Sequence, residues 1–315
     1  MGTMKTAIIA VAATAGLLLT GCSREELDTR GEIRLGVRST ATRAAIDNVT
    51  DLSQYAGSKV GVIGVETPGT GSAWDGTLTM PNVQTTSIDT DGTLYWSGKY
   101  YYPLDGTSVR FCAYHPYAAT GTSGANYVEQ GSGNTAPALH FTITGAEDVM
   151  YAVPVAGSRD QRPDKLDFRH VLTRLQFKLD DPNGNLTGQT LEGITVRGAH
   201  SCSTMNIETG ARGPWTIEQD LSMELTPVAI SAESAPQAID GSIMLEPDQS
   251  DFTIDIATSG GTISDVKIKP TAAGARFEAG KCYEITLKFL KQTEIELSAT
   301  VKPWEFGGTG EGVVE

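Results

Sequence analysis

Cys22 stands at the end of an apolar run, behind Leu18-Leu19-Thr20-Gly21. A thiol there, with small residues before it for peptidase access, is what acylation at a bacterial lipobox requires, and Cys22 is the expected lipidation site. Two arginines mark bonds that an arginine-specific protease could cut. Arg43 precedes Ala44-Ala45 in a run of small residues and is the first choice; Arg38 is the second, being at the end of a strand-like stretch and less accessible. The four histidines, His115, His140, His170 and His200, lack the spacing that puts two ligands on one helical face. No metal site and no cofactor is expected. Gly69–Gly76 lacks the Gly-Lys-Ser/Thr ending of a phosphate loop, and no Gly-x-Ser-x-Gly elbow occurs, so no enzyme is expected.

The elements that would position these groups are legible in outline. Ala7–Leu19 is too short to span a bilayer comfortably and suits a signal peptide ending at Cys22. Several acyl chains on that cysteine would anchor the chain durably in the outer membrane, facing the cell surface. Residues 23–43 then read as a tether and a removable strand. Within them Ile33, Leu35 and Val37 alternate with Arg34 and Gly36, the period of a strand with one buried face. Cutting after Arg43 would excise that strand and open an apolar groove for a strand from a neighbour. The best donor by pattern is Ile295, Leu297, Ala299 and Val301, alternating with Glu296, Ser298 and Thr300. Alternatively, this is the last strand of its own domain, which would leave Val313 and Val314 as the apolar pair to donate.

The remaining chain reads as all-β. Formal net charge is −14 over 315 residues, which disfavours nucleic acid as a partner. No sustained 3.6-residue periodicity appears. Short apolar or alternating runs (59–65, 93–102, 108–114, 138–143, 149–155, 172–179, 193–197, 242–245, 252–257, 263–268, 282–289 and 294–301) are separated by Asp-Gly, Asn-Gly and Gly-Gly turns. A charged, proline-containing stretch at 158–164 suggests two β-sandwich domains, 44–163 and 164–315. The stretches 67–76 and 118–135 read as exposed loops. Cys112, Cys202 and Cys282 are expected to be small buried hydrophobes, or else one bridge and one free thiol. Tyr95, Trp96, Tyr100, Tyr101 and Tyr102 could form a sugar-stacking platform, or split between core and rim.

Three stretches carry a resemblance: Trp96–Gly106 running on to Val109–Tyr117, Leu166–Leu179, and Phe277–Leu287 followed by Ile295–Trp304. Together with the lipobox and the arginine-marked strand, they resemble the fimbrillin family, lipoprotein pilus subunits of anaerobic Gram-negative bacteria. The resemblance implies two tandem transthyretin-like β-sandwich domains, export as a lipoprotein, trimming after arginine and assembly with other fimbrial subunits by strand exchange, for surface adhesion. The short glycine-rich tail after Trp304 also suits a tip or accessory subunit. A non-polymerising surface lipoprotein that binds glycan or another ligand near Trp74, Trp96 or 118–135 is the alternative.

Overall fold

A computed structural model describes residues 31–38, 59–67, 74–89, 92–163, 165–223, 225–231, 235–272, 274–291 and 294–303. Every regular element among them is a strand. In chain order these are β1 (Gly36–Arg38), β2 (Gly61–Thr67), β3 (Leu78–Ile88), β4 (Leu94–Trp96), β5 (Ser108–His115), β6 (Tyr127–Glu129), β7 (Ala138–Thr142), β8 (Met150–Gly157), β9 (Lys165–His170), β10 (Thr173–Asp180), β11 (Thr190–Asn206), β12 (Thr216–Ser222), β13 (Val228–Ala229), β14 (Gln237–Ala238), β15 (Ile243–Leu245), β16 (Phe252–Thr258), β17 (Gly261–Ile268), β18 (Lys281–Lys291) and β19 (Glu294–Pro303).

Three sheets result. The first runs β1-β9-β8-β5-β2-β3-β4, the second β14-β10-β18-β19 with β15 beside β10, and the third β17-β16-β11-β7-β6 with β12 and β13 beside β11. The first sheet also closes on itself. The Leu94 amide at the start of β4 donates to the Leu35 carbonyl (2.9 Å), and Val37 donates to Gly92 (2.8 Å), so the chain leading into β1 touches both ends of the strand order.

Alternation decides what each face buries. Val62, Phe111, Ala113, Ala152, Leu166 and Phe168 fill the inside of the ring, together with Ile33, Leu35 and Val37. The opposite faces of β2 and β5 carry Ile63, Val65, Cys112 and Tyr114 into a second core. There they meet Leu175 and Phe177 of β10, Ile285 and Leu287 of β18, and Ile254 and Ile256 of β16, so all three sheets share that core. Phe277 joins the second and third sheets, with its ring centroid 4.9 Å from Phe252 and 4.8 Å from Tyr283.

Several sequence expectations are redrawn. Strand pairing crosses residue 164 in both directions: β9 pairs with β8 in the first sheet, while β7 pairs with β11 in the third. The expected boundary at 163/164 therefore does not separate the sheets. Residues 118–135 are not wholly an exposed loop, because Tyr127–Glu129 forms β6 and Val128 is buried in the second core. Strand β3 was not expected, since Pro81 and Asn82 interrupt its pattern. Asn82 takes a positive φ of 54° at a break in register with β2, and its amide is used in the core. The Tyr114 hydroxyl donates to Asn82 Oδ1 (2.7 Å), and Asn82 Nδ2 donates to the Ala118 carbonyl (2.9 Å).

At the junction of the ring with the second sheet lies a buried polar cluster. His115 Nδ1 is 2.7 Å from the Asp148 carbonyl, and His170 Nδ1 is 2.8 Å from the Asp148 carboxylate. Burial pushes the His115 pKa below its ordinary 6.5, opposed by the Asp148 charge and the hydrogen bond to its carbonyl, with His170 adding to the depression. A histidine with a depressed native pKa leaves the unfolded chain to take up the proton first. Its contribution is full above the unfolded pKa and falls as pH drops through about 6.5 toward the native value. Urea unfolding near pH 7.5 and near pH 5 should show a loss of stability on acidification, and His115→Gln should reduce that loss.

Candidate functional site: the ring-closing segment and its groove

Residues 31–38 lie in a furrow with two hydrogen-bonding walls. On one side β1 runs parallel to β9, with Gly36, Val37 and Arg38 opposite Lys165, Leu166 and Asp167. On the other, the segment runs antiparallel to residues 92–102. Ile33 donates to Tyr100 O (2.8 Å), Tyr102 donates to Gly31 O (3.0 Å), and the Leu94–Leu35 and Val37–Gly92 bonds continue the ladder. At β1, where the two walls overlap, the backbone has partners on both sides, as burial requires.

The floor accepts alternate side chains. Ile33, Leu35 and Val37 are 1%, 3% and 3% exposed, whereas the side chain of Arg34, on the other face, is 72% exposed. Arg34 pairs with Glu32 at 3.1 Å on the wet face, a contact that contributes little. Tyr102 and Phe111 meet edge to face below the segment, with centroids 6.0 Å apart. Burial pushes the Tyr102 hydroxyl up to about 12, with the Arg162 charge opposing.

Two glycines set the fit. Gly92 has φ +88°, and a Cβ there would stand 2.6 Å from the Val37 carbonyl. At Gly36 a Cβ would meet Lys165 Cγ at 3.3 Å, so the position opposite β9 takes a small residue.

The other sequence-predicted groups fall as follows. Cys22 and Arg43 lie outside the described residues, as do Val313 and Val314. Arg38 is the last residue of β1, its backbone opposite Asp167. Ile295, Leu297, Ala299 and Val301 are in β19, opposite Phe289, Leu287, Ile285 and Tyr283 of β18. Strand β19 is an edge of its sheet, and Ala299 is buried.

The aromatic stretches divide between core and rim. Trp74 is buried, donates to Glu208 Oε2 (3.0 Å) and lies under the Arg110 guanidinium, which itself pairs with Glu208 at 2.6 Å. Its ring is thus committed to tying β5 to the turn after β11 and is not open to a ligand. Trp96 and Tyr100 lean edge to face against the ring core, Tyr102 is inside it, and Tyr95 faces solvent. No single platform results. Cys112, Cys202 and Cys282 are unbridged; Cys112 and Cys282 are buried, and burial pushes the Cys112 thiol up to about 12. His140 and His200 pair with Glu129 (3.2 Å) and Glu246 (2.9 Å).

What sequence reasoning missed is the second wall. Residues 93–102 were expected as a strand, but nothing in their pattern says that their partner is a segment some sixty residues earlier. The burial pattern has a direct check. Leu35→Ala should cost about 2–5 kcal/mol in denaturant unfolding, whereas Arg34→Ala should stay within about 0.5 kcal/mol of the parent.

A Bacteroides uniformis protein named "Putative fimbrium subunit Fim1C" is 25% identical over 98% of both chains. A fimbrial protein from Bacteroides vulgatus matches with a TM-score of 0.57 at 18% identity, over 87% of this chain and 99% of its own. A "putative cell adhesion protein" from Bacteroides uniformis matches with a TM-score of 0.59 at 17% identity, over 87% and 99%. The fimbrillin-like family matches residues 42–304, and the chain belongs to that family.

Proposed function

We propose that this protein is a fimbrial subunit built from two tandem transthyretin-like sandwiches. It is exported as a lipoprotein acylated at Cys22, trimmed after Arg43 by an arginine-specific protease, and assembled by strand exchange to serve surface adhesion. The observation that carries the proposal is the two-walled seat of residues 31–38. The segment is short, it is joined to the rest of the chain through a run containing Arg43, and it fills a furrow that β-augmentation could refill.

Excision would expose the bed of Ile33, Leu35 and Val37. Refilling it recovers roughly 1.5–3 kcal/mol per side chain as an upper estimate, and each regained main-chain bond adds about 0.5–1.5 kcal/mol. Association entropy opposes both. The incoming strand inherits the polarity of the one it replaces, parallel to β9 and antiparallel to 92–102. Ile33-Arg-Leu-Gly-Val37 aligns with Ile295-Glu-Leu-Ser-Ala299. Apolar residues then fall on the three floor positions, and Ser298 takes the tight place of Gly36. As an edge strand, β19 gives up pairing on only one side when it leaves. A head-to-tail contact of this kind is heterologous and extends into an open filament.

Treating the purified precursor with an arginine-specific protease should yield a chain beginning at Ala44 that forms polymers, and Arg38→Ala/Arg43→Ala should keep the segment and stay monomeric. A trimmed chain that remains monomeric would contradict the exchange. A synthetic peptide of residues 294–303 should bind the trimmed chain and not the precursor, and a Leu297→Asp peptide should bind neither.

A further inference from the structure

The third sheet carries a pocket that the strand-exchange reading does not use. On the outer face of β6, β7, β11 and β12, two cross-strand rows lie side by side. One is Tyr127, His140 and Thr204; the other is Thr142, Cys202 and Thr216. Residues directly opposite on neighbouring strands share a face, so these six side chains stand together. Their neighbours Val128, Leu139 and Met205 point into the core and fix the floor. Residues 124–126 rise over one end as a wall. The Thr142 amide donates to Asn126 Oδ1 (2.8 Å), and its hydroxyl donates to the Ala125 carbonyl (3.1 Å). The resulting depression is open to solvent and has a volume of about 360 Å³.

The lining selects a ligand class. Tyr127 and His140 are stacked, 4.1 Å apart and 10° from parallel, and Glu129 holds the imidazole from the side at 3.2 Å. That pair offers a flat, polarisable wall against which the C–H face of a sugar ring can lie. Beside it stand the hydroxyls of Thr204, Thr142 and Thr216; the last two already donate, to the Ala125 and Cys202 carbonyls, and so offer a ligand their acceptor lone pairs, while Thr204 can donate or accept. No lysine or arginine lines the pocket. An anionic glycan would meet no counter-charge, on a protein whose net charge is already −14. The volume is at the small end of ligand sites.

We infer that this face binds a neutral saccharide, one or two pyranose rings seated against Tyr127 and His140 and hydrogen-bonded by the threonines. The inference rests on the adhesive reading for its purpose, but not for its test, because it needs no cleavage and no assembly.

The test uses the untrimmed full-length chain on a printed array of neutral and acidic oligosaccharides, followed by calorimetric titration of any neutral hit. Saturable binding to a neutral glycan is expected. It should weaken by about tenfold or more in Tyr127→Ala and in Thr216→Phe, which fills the pocket from an exposed position, with the melting temperature of Thr216→Phe unchanged. Several results would overturn the inference: no saturable binding to any neutral glycan on the array, binding confined to sialylated or sulfated glycans, or neutral binding that survives in Thr216→Phe. Failure of polymerisation alongside intact glycan binding would count against strand exchange and leave this site standing.

Discussion

The structure depends on residues 31–38 being held from two directions at once. The first sheet has two edges, and one short segment satisfies both: it is parallel to β9 on one side and antiparallel to 92–102 on the other. An open sheet edge is a template for pairing with other chains. Here one piece of backbone removes the edge of β9 and the exposed amides of Leu94 and Tyr102 together, while three aliphatic side chains complete the apolar interior. Taking it away would therefore create an unpaired edge and an apolar furrow in the same place, which is the combination that a strand from another molecule can satisfy.

The rest of the chain is arranged so that opening the ring need not dismantle it. The opposite faces of β2 and β5 belong to a core shared with the second and third sheets, through Ile63, Val65, Cys112 and Tyr114. The Trp74–Arg110–Glu208 contact and the Asn82–Tyr114–Ala118 network tie the ring to neighbouring chain by polar bonds that do not involve residues 31–38. Buried polar networks of this kind are costly to break in part. The seat and the scaffold thus draw on different cores, because the two faces of β2 and β5 pack into separate apolar clusters.

How much of this could be read from the residues depended on whether burial followed a simple period. Ile33, Leu35 and Val37, and equally Leu175, Phe177 and Leu179, alternate cleanly and were legible as half-buried strands. Strand β11 was seen only as a short run, because Ser201 and Ser203 are buried and polar, so its second half has no hydrophobic period; register breaks at 191/193 and 196/199 hide it further. Val128 in a Gly- and Ser-rich stretch gave no sign of β6. The crossing of strands at 164 was invisible for another reason. Which sheet a strand joins is set by long-range pairing, and local composition at 158–164 marks a turn without saying where the next strand goes. The pocket on the third sheet arises where two strand pairs distant in sequence, β6–β7 and β11–β12, come side by side, so no motif could announce it.

Whether residues 31–38 are an exchangeable closure can be read from amide hydrogen exchange at Leu94 and Tyr102, whose N–H groups donate to Leu35 and Gly31. Slow exchange in the precursor, fast exchange in the trimmed monomer and renewed protection in the polymer are the predicted sequence. Protection unchanged by trimming, or never regained on assembly, would contradict the account.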